Sequence, residues 1–254
     1  MTPLLQTTLT YALVPVVFTV VGAATGAYLP AMQRLRSHVL HLAAGVVFAV
    51  VAVNLLPEIQ RRALVTDVVL GFVLGIVTML VIDKVLDRLR GDVTSGETDV
   101  DKTATKPRGK IELSLIAAVA VDFLLDGLLL GVGFAAGAKI GILLALAEAA
   151  EQLSVGLALA GELTNAGVAR SRVILIVSGL GSLVFVTAVL GATVLSGLTG
   201  GAMEVVLSFG LAALLYLVTQ ELLREAFEEK ETATSTVMFF AGFLLFLVIG
   251  MTLE

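Results

Sequence analysis

Residues 111–163 read IELSLIAAVAVDFLLDGLLLGVGFAAGAKIGILLALAEAAEQLSVGLALAGEL. Two long apolar runs meet at a short Gly-Ala-Lys junction, and each run carries two acids near its middle. Asp122 and Asp126 lie in the first, Glu148 and Glu151 in the second. A span of the bilayer takes about 20 apolar residues, so both runs are long enough to cross. An ionisable residue at a bilayer centre costs roughly 2.5–3.5 kcal/mol on insertion scales, so four amount to something on the order of 10 kcal/mol. A bound cation is the obvious way to offset that.

The rest of the chain follows the same pattern. Of its 254 residues 58% are apolar and only 15% charged, against about 25% charged in a soluble domain. Mean hydropathy is +1.03. The runs 4–29, 39–56, 63–82, 111–137, 140–164, 173–198, 202–223 and 234–253 predict eight transmembrane helices. The fold class expected is therefore all-α, a polytopic membrane bundle. Strands are not expected, because the runs are continuously apolar rather than alternating. The organisation is spans 1–3 over 1–82, a polar loop over 83–110, spans 4–5 over 111–164 and spans 6–8 over 165–254. The first run lacks a basic flank and exceeds a signal-peptide core, so it reads as a retained helix.

Lys and Arg divide unevenly between alternate loops. Thirteen of the 16 fall after spans 1, 3, 5 and 7; only Arg61, Arg62 and Lys139 fall on the other side. This predicts both termini outside and the 83–110 loop in the cytoplasm, in a plasma or bacterial inner membrane. The middle of that loop is rich in Gly, Thr and charge, as a solvated tether would be. Net charge is −5, which argues against nucleic acid as a partner. With no Cys and only His38 and His41, thiolate sites, disulfides and a His-rich metal site are excluded.

Within the two acidic spans, Asp122 and Asp126 are spaced i, i+4, and Glu148 and Glu151 are spaced i, i+3. Each pair therefore shares a helix face. The span centres fall near residues 124 and 152, which puts both pairs near mid-membrane. Spans 4 and 5 are expected to be antiparallel neighbours presenting up to four carboxylates to one cavity. A short internal repeat supports opposed half-sites: Asp126 and Glu151 are each followed by Leu at +2 and Gly at +5, as an inverted-repeat transporter would have them. Gly127/Gly131 and Gly133/Gly137, with Gly156 and Gly161 in span 5, favour close helix packing. Oxygen ligands suit Mn²⁺, Mg²⁺ or Ca²⁺, and Zn²⁺ and Fe²⁺ also accept them. Protons should compete with the metal for such a site. No nucleophile–base pair is present, and enzymatic activity is not expected.

These features together resemble the Zrt/Irt-like (ZIP) metal transporter family, which has eight spans, termini outside and a variable loop between spans 3 and 4. The family's fourth-span His-Asn-x-Pro-Glu-Gly motif is matched by Asp122-Phe123-Leu124-Leu125-Asp126-Gly127, and the fifth-span motif by Ala147-Glu148-Ala149-Ala150-Glu151-Gln152. Asn54-Leu55-Leu56-Pro57-Glu58 is similar to the family's second-span ending. The segment Tyr216–Ala226 looks like its seventh-span His-Glu-…-Pro-Glu stretch, with Gln220 for His and Arg224 for Pro.

The resemblance implies transport of a divalent cation as substrate, with Asp122, Asp126, Glu148 and Glu151 as metal ligands and no organic cofactor. It implies Gln152, Gln220, Glu221 and Glu225 as pathway or exit residues, with Glu228 and Glu229 beyond them, and a homodimer in the lipid bilayer. Ala147, Phe123 and Ala188 stand at positions where the family has ligands. A two-metal centre is therefore not intact, and a single all-oxygen site is expected. The alternative is a transport-inactive relative that senses metal or acts as a membrane scaffold.

Overall fold

The computed structural model describes residues 3–29, 36–62, 64–95, 113–226 and 233–252. Among them there is no strand. Eight helices are long and apolar enough to cross a membrane: Leu4–Tyr28, Ser37–Arg61, Val65–Val85, Leu115–Ala136, Ala138–Asn165, Arg170–Leu195, Gly201–Leu222 and Ala233–Thr252, numbered here as spans 1 to 8. All eight coincide with the runs of the sequence to within a few residues. The helix of span 3 continues beyond the end of the apolar span at Val85 to Ser95, into the segment expected to be loop. The reason is its composition, since Lys84, Leu86, Leu89 and the arginines are good helix formers. The remainder of that loop, 96–112, lies outside the described residues. Spans 4 and 5 are joined by Gly137 alone, so Lys139 sits in the first turn of span 5 rather than in a loop.

Three spans are not plain α-helices. Span 1 breaks at Ala12, between helices Pro3–Tyr11 and Leu13–Tyr28. Pro15, lacking an N–H, cannot bond the Tyr11 carbonyl and crowds it. Span 2 passes through a π-helical turn at Val50–Leu55, where the Leu56 N–H bonds back to the Val51 carbonyl. Pro57 gives the cause: its ring would collide with the Val53 carbonyl of a regular α-helix, and the wider turn avoids this. Span 7 makes a matching turn at Leu217–Leu222, with the Leu223 N–H on the Val218 carbonyl. No proline accompanies that one.

The spans form an inner and an outer set. Spans 5, 2, 7 and 4 have 67, 61, 50 and 44% of their apolar windows buried, whereas spans 1, 3, 6 and 8 have 28% or less. Outer spans present apolar stripes at i, i+4 spacing: Val69, Val73 and Val77; Leu190 and Val194 after Val186; Phe240, Leu244 and Val248. Such surface is untenable in water and suits lipid. The most extensive helix pairings are 1 with 5, 4 with 6, 2 with 8 and 3 with 7. Glycines sit at every crossing. A Cβ at Gly22, Gly45, Gly71 or Gly127 would meet the carbonyl of Leu153, Phe239, Val205 or Val184 respectively. The close packing anticipated from Gly127 and Gly131 thus occurs, with span 6 as the partner. Spans 1, 4, 5 and 6 form one group and spans 2, 3, 7 and 8 the other, meeting through inner spans 2 with 5 and 4 with 7.

Candidate cation site

Span 4 buries the stripe Phe123, Asp126, Leu130 and Phe134, spaced i, i+3, i+7, i+11. This is the core-facing period of a helix, and Asp126 occupies it at 2% exposure. Asp122 is one helical turn earlier on the margin of that stripe and is half-buried. The pair therefore shares a face without sharing an environment. Phe123 fills the core with a fully buried ring, and Ala147 and Ala188 are fully buried methyls. The three positions that lack ligands are packing positions here.

On span 5, Glu148 and Glu151 are each 3% exposed and Gln152 is completely enclosed. The Gln152 amide donates from Nε2 to Asp126 Oδ2 at 2.8 Å. Its Oε1 accepts from the Thr19 hydroxyl of span 1 at 3.1 Å, and that hydroxyl also lies 3.0 Å from the Pro15 carbonyl. Three spans are thereby tied through one amide. Glu148 stands apart from this network, because neither of its carboxylate oxygens has a hydrogen-bond partner. Buried polar groups are nearly always satisfied, so this one is conspicuous.

Electrostatic contact extends the group. Glu151, Glu148 and Glu221 all act coulombically on Asp126. Glu221 comes from the π-helical turn of span 7 and is half-buried, whereas its neighbour Gln220 is exposed. The structure thus brings Asp126, Glu148, Glu151, Gln152 and Glu221 into one neighbourhood, and it leaves Gln220 outside. Among the described residues, no three of His, Asp and Glu converge as ligands to one ion. The acids are neighbours that do not close on a point. Glu225 lies in the last turn that is described, Leu223–Ala226, its side chain lies outside the described residues, and Glu228 and Glu229 lie there entirely.

Before the π-helical turn of span 7, the Tyr216 hydroxyl donates to Asp83 Oδ2 of span 3 at 3.0 Å. The histidines of span 2 play a different part. His41 Nδ1 pairs with the Ser37 carbonyl one turn back at 2.7 Å. His38 lines an apolar groove of about 480 Å³ with Val14, Phe18, Leu42, Leu153 and Phe246. Sequence reasoning missed Thr19, Glu221 as a neighbour of Asp126, and Asp83. A lone Thr in an apolar helix is an ordinary packing residue, and Glu221 begins a charged stretch that resembles any solvated helix end. Asp83 had a weak signal, as the first acid after an apolar run. No protein-family model matches the chain, and no curated protein matches it.

Proposed function

We propose that this protein carries a divalent metal cation across the membrane through the acids between spans 4 and 5. Glu148 is the observation that carries the reading: a carboxylate enclosed in the bundle, with neither oxygen hydrogen-bonded, beside Asp126 and Glu151. An intramembrane acid without a partner is expected to mark an ion pathway. Asp126, Glu151 and Glu148 would act as ligands once drawn closer together than they stand here, with Asp122 and water completing the shell. Glu221, on the π-helical turn and near enough for its charge to act on Asp126, would receive a cation leaving toward the end of span 7. The two groups of four spans supply the parts that alternating access needs to move against one another. Membership of the ZIP family, termini outside and location in a plasma or inner membrane belong to the same proposal.

The ion is a hard or borderline cation, Mn²⁺, Zn²⁺ or Fe²⁺ in keeping with oxygen ligands. Uptake of these ions into proteoliposomes tests the reading. Asp126→Asn and Glu151→Gln should each lower uptake by tenfold or more, on the order of one ligand's contribution. Uptake equal to that of the unaltered protein in both variants would sink it. The other reading, a metal-sensing or scaffolding relative, is favoured by the bond that already occupies Asp126. Saturable metal binding with no uptake would decide for it.

A further inference from the structure

Thr19 belongs to none of the acidic motifs, yet it is completely enclosed where three helices cross. A Cβ at Gly156 of span 5 would stand 2.6 Å from the Thr19 carbonyl oxygen, and one at Gly181 of span 6 would stand 2.9 Å from its Cγ2. Backbone therefore closes around the residue from two sides. Its hydroxyl has one proton and two acceptors in reach, Pro15 O and Gln152 Oε1. To the extent that this proton is shared with Oε1, it favours the amide orientation with its NH₂ toward Asp126. With Asp126 ionised, a reversed amide would set Oε1 against Asp126 Oδ2, two acceptors at the 2.8 Å separation now bridged by a proton.

We propose that Thr19 is a positioning residue that, through the Gln152 amide, reserves one oxygen of Asp126 and leaves the other for the ion. The inference rests on the carboxylate site proposed above and adds what sets its selectivity. With one lone pair of Oδ2 engaged by an N–H, Oδ1 is the freer and stronger donor to a cation, and symmetric binding through both oxygens is disfavoured. One-oxygen coordination suits a smaller ion with a tight shell. Ca²⁺, with six to eight ligands, gains more from a carboxylate that binds through both oxygens. Thr19 and Gln152 thus disfavour Ca²⁺ relative to Mn²⁺ at the site, without either touching the ion.

The full chain purified in detergent tests this with MnCl₂, free Mn²⁺ being read by electron paramagnetic resonance and Ca²⁺ affinity by displacement. Thr19→Val should shift the Ca²⁺/Mn²⁺ affinity ratio toward Ca²⁺ by roughly threefold to tenfold, the range expected for losing one oriented hydrogen bond. Thr19→Ser, which keeps the hydroxyl, should restore most of the ratio, and Thr19→Ala serves if the valine variant does not fold. Gln152→Leu should show the same shift, and adding Thr19→Val to it should change nothing further. A ratio unmoved by both Thr19 variants, or shifts at Thr19 and Gln152 that simply add, overturns the positioning role and leaves the carboxylate site standing. If the folded, unaltered protein binds no Mn²⁺, the site itself is wrong and this inference falls with it.

Discussion

Glu148 and Asp126 illustrate two ways a membrane interior can hold an acid. Asp126 is satisfied by an amide whose own oxygen is satisfied by Thr19. Glu148 has neither oxygen bonded, and leaving such a group buried costs about 1–3 kcal/mol or more. Glu148→Met, an apolar side chain of similar length, should therefore raise the thermal midpoint of the metal-free protein while weakening Mn²⁺ binding. A lowered midpoint in that variant would mean that Glu148 has a structural partner. The three deeply buried acids were legible in the sequence, because an acid within an apolar run has few bland explanations. The differing environments of Asp122 and Asp126 were not. An i, i+4 spacing puts two residues on one face, but only the neighbouring helices decide where the edge of that face falls.

Among the elements, the π-helical turns of spans 2 and 7 bear most directly on the proposed path. Such turns insert one extra residue into a helix and are frequent at functional sites. The one in span 7 carries Glu221. Deleting Thr219 should rewind Leu217–Leu222 into regular α-helix and turn Glu221 away from Asp126. The expected result is a folded protein with helical circular dichroism intact and uptake lost; undiminished uptake would remove Glu221 from the path. Pro57 announces the turn in span 2, but nothing in the sequence announces the one in span 7, where tertiary contacts must hold it open. The glycine crossings make a separate prediction. Gly127→Ala would drive a methyl into the Val184 carbonyl and the Thr187 hydroxyl, with an expected loss of about 1–3 kcal/mol from overpacking, measurable as a lower unfolding midpoint.

For the whole molecule, the eight spans were legible and their arrangement was not. Lipid-facing and core-facing surfaces are both apolar here, so hydropathy marks each helix and says nothing of its neighbours. Spans 4 and 6 pair through Gly127 and Gly131, although the sequence order suggested only 4 with 5. The two groups of four meet where a Cβ at Gly210 of span 7 would lie 3.3 Å from Val132 Cγ1 of span 4. That places a Val132→Cys, Gly210→Cys pair near disulfide reach, with Cβ atoms to be brought to about 3.5–4.5 Å, in a chain with no cysteine of its own. If the groups move against each other during transport, oxidising this pair should stop uptake and a reductant should restore it. Full uptake by the oxidised protein would rule out relative motion at that seam.

The single-residue link at Gly137 bears on how the chain is made. With Ala136 ending one helix and Ala138 starting the next, neither can leave the insertion machinery far ahead of the other. The expected consequence is that the two insert as a hairpin. Asp126 and Gln152, only 26 residues apart, can then pair during biogenesis, before spans 6 to 8 have been synthesised. A nascent chain stopped at Asn165 should accordingly integrate both helices, and Gln152→Leu should lower the integrated fraction. The bond proposed to set Asp126 for a cation would then first have served to bring that acid into the membrane.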